Sequence, residues 1–360
     1  IDGEARVTLL ANRAEAYMGI GKQTLAQQAL EEAESLQPKA LLPGIARVSW
    51  LLQQRDLAAA QQLSEQLLDL YSRDDRAWDA SASVLHAQGR GNEAQKYYAK
   101  ALTLNPDNVN ARVARAGLLL DLQDNEEAAA ELAYLEQHFP FEPRAAYLRG
   151  VAYERAGDTE ASQAALTKCT NLVSSLPLEV VSRSNQLSMA VSLAHYGLGE
   201  FERANHYISQ YLRLNPADIG ASRLQASVLI GLQETNEAIK FLRPLLRQFP
   251  DDPQLISMMA SAFSQQGQHR RSVELLEKLR ERTGGDPDLD IRLAVSRLNS
   301  GQSGPAIDSM ATLFAQNPSR IDLGFTLTFA YLRAGQFDAA LAIANQLVAA
   351  DNTNISYLNL

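Results

Sequence analysis

The chain has a single cysteine among its 360 residues, so no intrachain disulfide can close a loop. Its five histidines, His86, His138, His195, His206 and His269, show no i, i+4 pair and no cysteine partners. Residues in that pattern do not make a metal site. No apolar run approaches the roughly 18 residues of a membrane-spanning helix, and no signal peptide is visible. The sequence also lacks a Walker glycine loop, a Gly-x-Ser-x-Gly elbow and a dinucleotide fingerprint, which leaves the chemistry of those motifs without its residues. A basic excess is missing too. With 33 Lys and Arg against 42 Asp and Glu the net charge is -9, which argues against a nucleic-acid surface. The basic clusters His269-Arg270-Arg271 and 278–282 read as solvated helix faces, and the scattered carboxylates read the same way. Nothing here points to an enzyme, a cofactor or a metal.

What the chain does have is a ruler. Gly21, Gly89, Gly157, Gly199, Gly267, Gly301 and Gly335 are separated by 68, 68, 42, 68, 34 and 34 residues. Every gap is a multiple of 34, except that 42 exceeds 34 by eight. Pro38, Pro106, Pro140, Pro216, Pro250 and Pro318 keep the same period and show the same excess. A 34-residue period belongs to the tetratricopeptide (TPR) class, in which each repeat is a helix, a tight turn and an antiparallel second helix. Counting repeats from Val7, the eighth place reads Ala14, Ala82, Ala116, Gly150, Ala226, Ala260 and Ala294. The eleventh place carries Tyr17, Tyr153, Phe263 and Tyr331, and alanine recurs at the twentieth from Ala26 to Ala340. The expected fold is therefore all-α, a right-handed TPR superhelical solenoid of about ten helix-turn-helix repeats.

Each choice has a mechanical reason. Glycine after the first helix takes positive φ at little cost and closes the turn. Alanine or glycine at the helix crossing lets the backbones approach, and larger apolar residues beside it interlock as ridges and grooves. Proline near the end of the second helix stops it, and Asn105 and the 215–218 segment supply side-chain oxygens that can cap the next helix. Cys169 falls at the twenty-seventh place, which Ala33 and Ala101 share in other repeats. It reads as a buried small residue.

The period partitions the whole chain. Residues 1–6 read as the end of a preceding helix, 7–176 as repeats one to five and 185–354 as repeats six to ten. Residues 355–360 read as the start of a further helix. The eight inserted residues, 177–184, are expected to lengthen the next helix by about two turns, roughly 12 Å at 1.5 Å per residue, with Pro177 as first residue and Ser174 or Ser175 as cap. The alternative is a longer loop holding a short helix. Both ends read as interior to a longer array, and uncapped ends of that kind offer a route to end-to-end self-association.

In such a solenoid the first helices line a concave face, the usual place for a protein or peptide partner. The second, fifth, twelfth and thirteenth places of the central repeats supply Arg76, Asp79, His86, Asn110, Asp121, Arg144, Tyr147, Glu154, Arg155, Tyr196 and Arg223 as candidate contacts. Arginine and tyrosine combine flat contact area with hydrogen bonding, which makes them common anchors. The ninth place carries no asparagine in any repeat, so the carboxylate clamp of chaperone-binding TPR domains is absent.

Three stretches go beyond the general repeat: 111–122 (ARVARAGLLLDL), 138–150 with His138-Phe139-Pro140 and Pro143 to Gly150, and 193–199 (LAHYGLG). They resemble the TPR-repeat lipoproteins of the PEP-CTERM/exosortase system, a family that also carries an insertion near the Leu-Pro-Leu-Glu-Val segment at 176–180. The resemblance implies a bacterial envelope scaffold or adaptor, membrane-tethered through a lipid on the periplasmic side. Its partners would be proteins or a polysaccharide strand of exopolysaccharide production, export and protein sorting. Two other settings fit the same repeats: the TPR arm of another polysaccharide secretion machine, or that of a TPR-bearing glycosyltransferase.

Overall fold

The computed structural model describes residues 3–284 and 286–350, which form twenty-one α-helices in tandem. Repeat one pairs α1 (Gly3–Gly19) with α2 (Gln23–Leu36), and repeat two pairs α3 (Leu41–Gln53) with α4 (Leu57–Leu70). Then come α5 (Asp75–Ala87) and α6 (Gly91–Leu104), α7 (Val109–Asp121) and α8 (Asn125–His138), and α9 (Pro143–Arg155) and α10 (Thr159–Ser174). A short α11 (Leu178–Arg183) precedes α12 (Asn185–Gly197) and α13 (Phe201–Leu214). The series closes with α14 (Ile219–Gly231) and α15 (Thr235–Gln248), α16 (Pro253–Gln265) and α17 (His269–Thr283), α18 (Pro287–Asn299) and α19 (Ser303–Gln316), and α20 (Ile321–Arg333) and α21 (Phe337–Ala350). The chain divides into two compact bodies, Ile1–Ser222 and Arg223–Leu360.

The turn inside each repeat is set by backbone hydrogen bonds. After α5, Gly89 N–H donates to the His86 carbonyl at 2.9 Å and Arg90 N–H to the Leu85 carbonyl at 2.9 Å. That pair of bonds is a Schellman closure, which needs one left-handed residue. The seven ruler glycines supply it with φ between +72° and +89°. Repeats two, four and seven have no glycine there, yet Arg55, Gln123 and Gln233 adopt φ of 59°, 62° and 59°. So the same turn is made at every mark of the ruler, and glycine lowers its strain by about 1 kcal/mol rather than creating it.

Helix crossings explain the small residues. Ala14, Ala82, Ala116, Ala226, Ala260 and Ala294 at the eighth place have no exposed surface, and Ala26, Ala60, Ala94, Ala128, Ala204, Ala238 and Ala306 at the twentieth have none either. Where the eighth place is polar, the hydroxyl turns back on its own helix: Ser192 donates to the Ser188 carbonyl at 2.6 Å and Thr328 to the Gly324 carbonyl at 2.9 Å. Gly150 is the tightest of these crossings. A Cβ on it would stand 2.6 Å from Leu166 Cδ2, which no side chain tolerates without displacement. Cys169, fully buried beside Ala146, Leu166 and Ala194, fills the same kind of space, and burial pushes its thiol up to about 12.

Two expectations about boundaries need correction. The inserted residues do not lengthen α12: they form α11, a separate helix that ends at Ser184, whose extended backbone (φ -103°, ψ 103°) breaks the run. Ser184 then caps α12 by accepting from Leu187 N–H at 3.3 Å. Pro177 is the residue before α11 rather than its first residue, and Ser174 and Ser175 bond back to carbonyls of α10 instead of capping forward. Residues 3–6 likewise do not close a preceding helix; they are continuous with α1. The expected helix start at 355–360 lies outside the described residues. In the N-terminal body the stack coils far enough for α1 to touch α11, and Leu214 Cδ2 lies 3.1 Å from where a Cβ on Gly21 would stand.

Between α7 and α8 the packing is ionic. Glu131, 6% exposed, accepts from both Arg112 and Arg115, and Arg112 lies over the Tyr134 ring at 3.6 Å while donating to the Pro106 carbonyl at 2.7 Å. Removing this carboxylate strands the buried Arg112 and leaves Arg115 with Glu127 alone. Glu131→Ala should therefore lower stability by about 3 kcal/mol or more. The two tryptophans, Trp50 and Trp78, lie in this body, so urea unfolding followed by their fluorescence reads the loss; a change below about 1 kcal/mol would show that the pairs are effectively solvated.

Candidate functional site

First helices line one face of the N-terminal body because the second helices pack behind them. Across α5, α7, α9 and α12 that face opens into a cleft of about 510 Å³. Its floor is apolar: Val113, Gly117, Leu118, Leu148, Met189 and Leu193. Its rim is polar, with His86, Asn110, Asp121, Arg144, Tyr147 and Gln186, and with Tyr211 and Asp218 from the far end of the sixth repeat. A second cleft of about 560 Å³ adjoins it, shares Asn110, Arg144 and Gln186, and reaches the exposed Phe141 and the residues flanking α11.

Arg144 is the strut between the two. Its Nε and Nη2 donate to Glu142 Oε1 and Oε2 at 2.7 and 2.8 Å, and its Nη1 donates to Asn110 Oδ1 at 3.0 Å and to Gln186 Oε1. Burial pushes the Glu142 carboxyl up, but the hydrogen bonds and charge of Arg144 outweigh it and hold Glu142 below the usual carboxylate range. The strut thus links α7, α9 and α12 and carries no spare charge.

Burial favours the neutral form of several other groups on this face. Burial pushes the Tyr147 hydroxyl up to about 12 and lowers the His86 imidazole, against the pull of Asp121. Tyr211 is raised by burial and by donating to Asp218 Oδ2 at 2.6 Å. Asp79 sits just behind the rim. Burial raises its carboxyl to about 6, with the Asn108 hydrogen bond and the Arg144 charge opposing and Asp75 reinforcing. Among the described residues no group of His, Cys, Asp and Glu has the arrangement of a metal site. What the cleft can do is hold a chain segment by shape, apolar contact and hydrogen bonds, with no cation of its described lining left free to grip an anion.

Of the residues singled out in the sequence, His86, Asn110, Asp121, Arg144 and Tyr147 meet in this cleft. Others do not. Arg76 is held by Asp74 at 2.8 Å, Glu154 is exposed, and Arg155 donates to the Leu120 carbonyl and lies 3.5 Å from Asp121. Tyr196 is 37% exposed and packs on Phe201 at 5.7 Å between ring centroids, at the turn end of α12. Arg223 belongs to the C-terminal body, where Asp252 pairs with it. Sequence reading missed Gln186, Met189, Tyr211 and Asp218. Gln186 and Met189 occupy the second and fifth places of repeat six, and Tyr211 puts an aromatic at the twenty-seventh place, where other repeats carry Ala, Cys or Leu.

Antiparallel helix pairs on a 34-residue period, with first helices lining a cleft, define the TPR class of solenoids. Models described as tetratricopeptide repeat match residues 7–39, 45–109, 85–152, 143–172 and 195–262, together more than half of the sequence. The chain belongs to the tetratricopeptide repeat family. Among solved structures it is similar to the crystal structure of the APC/C hetero-tetramer Cut9-Hcn1, at 12% identity and a TM-score of 0.62, covering 98% of this chain and 75% of that one. It also matches the structure of Naa15/Naa10 bound to HypK-THB (15% identity, TM-score 0.36, 98% and 64% covered). A third match is a tetratricopeptide repeat protein from Parabacteroides merdae ATCC 43184 (15% identity, TM-score 0.40, 81% and 99% covered). The comparison with curated proteins gave no match. The family matches and the likeness to Cut9-Hcn1 establish the fold, and TPR folds of this kind act as protein-interaction scaffolds.

Asp79 makes the cleft's surroundings pH-dependent in a definite direction. Its folded carboxyl titrates near 6, above the unfolded value of about 3.9, so the folded state binds this proton more tightly. The stability it contributes is present at pH 4, falls as pH rises, and is lost above pH 6, a change of about 2 to 3 kcal/mol. Asp79→Asn should therefore gain on wild type by roughly 2 kcal/mol between pH 4.5 and pH 7 in paired urea titrations. A constant gap between the two proteins would show that Asp79 titrates normally.

Proposed function

We propose that this chain is a non-catalytic scaffold or adaptor of the bacterial cell envelope, and that it holds a partner protein segment in the cleft across α5, α7, α9 and α12. In this reading it serves exopolysaccharide production or export and the sorting of surface proteins, tethered to the membrane on the periplasmic side. The observation that carries the binding half is the cleft itself: an apolar floor framed by polar groups, with Arg144 neutralised by Glu142 and with Asp121 and Asp218 as the rim's carboxylates. Such a site favours apolar side chains flanked by backbone and amide groups, which peptides offer at every residue. The three segments that resemble the PEP-CTERM/exosortase TPR lipoproteins support the envelope half, and two of them supply α7 and α9 of the same cleft. No helix among the described residues is long and apolar enough to cross a membrane; the tether in this reading is the lipid that the resemblance implies.

Gly117 offers a direct test, because a Cβ there would make only ordinary contact, 3.6 Å from Leu148. Gly117→Arg should fill the floor of the cleft without disturbing the helices. A photo-crosslinking residue at Tyr147, used in the native bacterium, should capture one envelope protein of polysaccharide export or protein sorting, and Gly117→Arg should abolish that adduct. Charge reversal of Arg144, which dismantles the strut, should do the same; reversal of Arg223 in the other body should not. Adducts confined to cytosolic proteins would overturn the envelope assignment, and adducts indifferent to Gly117→Arg would overturn the cleft.

A further inference from the structure

The C-terminal body contains an arginine whose charge is not answered. Arg292 projects from α18 and reaches back to the preceding first helix, α16. Its Nη1 donates to Ser257 Oγ at 2.5 Å, and its Nη2 donates to the Ser257 carbonyl at 3.0 Å and to Ser261 Oγ at 2.9 Å. All three acceptors are uncharged. Every other arginine that is at least partly buried among the described residues is paired with a carboxylate, as Arg47 is with Glu34, Arg144 with Glu142, Arg223 with Asp252 and Arg297 with Glu277. The nearest acidic influence on Arg292 is Asp286, whose Oδ1 is engaged in capping α18 through Leu289 N–H at 2.9 Å. Burial correspondingly lowers the guanidinium below its ordinary value.

Stitching α16 to α18 does not by itself require a cation. A glutamine could bridge two serines without the cost of desolvating a charge. The serines add a second argument. Because Ser257 Oγ and Ser261 Oγ accept from Arg292, each hydroxyl keeps its own proton to donate, and both side chains remain partly open to solvent. Guanidinium and hydroxyl donors therefore converge on one point of the inner face.

We propose that Arg292, Ser257 and Ser261 form a binding site for a carboxylate, the side chain of an aspartate or glutamate in a protein segment lying along the first helices of the C-terminal body. One guanidinium with two neutral hydroxyls matches the single negative charge of a carboxylate, which the hydroxyl protons and the remaining guanidinium N–H groups can meet. A phosphate dianion would leave a charge over, in a neighbourhood that already holds Asp286. The site is separate from the cleft of the N-terminal body and offers a cation, whereas the arginine of that cleft is paired.

The test uses the whole chain. Peptides selected from a random display library on wild type should include a family with one dominant acidic position, with affinities measured by fluorescence anisotropy. Arg292→Gln should weaken that family roughly tenfold, the loss expected for one charge-assisted pair. Changing the peptide's acid to its amide should cost the same and nothing further in the variant. Arg292→Lys, which keeps charge but not the fork, and Ser257→Ala with Ser261→Ala, which keeps the arginine, should each give part of the loss with unchanged helical circular dichroism. Acidic peptides that bind Arg292→Gln as well as wild type, or a selection with no acidic family, would overturn the proposal. Neither result would touch the cleft of the N-terminal body, which is read through Gly117→Arg.

Discussion

Every feature of this molecule depends on how closely two helices can cross. At the eighth and twentieth places of the repeats the chain puts alanine, glycine, serine or threonine, with Val48 the one larger residue, and almost all of these residues are fully buried. At the closest of these crossings even a Cβ would force a shift, since one on Gly150 would stand 2.6 Å from Leu166 Cδ2. Because the crossing recurs with one spacing, the first helices come out on one face at one interval. The cleft of the N-terminal body is the space left between four of them.

Charge is used in two ways on these inner faces. In the N-terminal body Arg144 is spent on structure: Glu142, Asn110 and Gln186 take up its donors, and the cleft beside it is left without a free cation. Arginine there sets the width of the site rather than gripping what enters it. The buried cluster of Arg112, Arg115 and Glu131 does similar work between α7 and α8. In the C-terminal body Arg292 makes its bridge to serines, so its charge stays available. The difference lies entirely in the partners, since all are arginines on first helices.

The left-handed turn shows how an underlying constraint can outlast its commonest signal. Glycine marks seven turns in the sequence, while Arg55, Gln123 and Gln233 make the same turn without it. The backbone bonds that close the helix demand the conformation, and a non-glycine residue accepts modest strain when packing on both sides has already fixed the path. The insertion behaved differently. Its composition permits a helix, but Ser184 caps α12 more effectively than it could continue through it, and the chain breaks there into two helices.

By itself the sequence determined the repeat, the small residues at the crossings, the turn positions and the face that the first helices line. These are properties of spacing, and spacing survives in one dimension. His86, Asn110, Asp121, Arg144 and Tyr147 were legible as neighbours on one face because they occupy fixed places in successive first helices. Tyr211 and Asp218 were not, since they reach the cleft from the end of a second helix and the turn beyond it, which only the stacking angle brings round. The tertiary structure alone decided which charges are spent. Whether an arginine anchors a ligand or braces a wall depends on carboxylates and hydroxyls contributed by neighbouring helices, and no linear period records where those side chains meet.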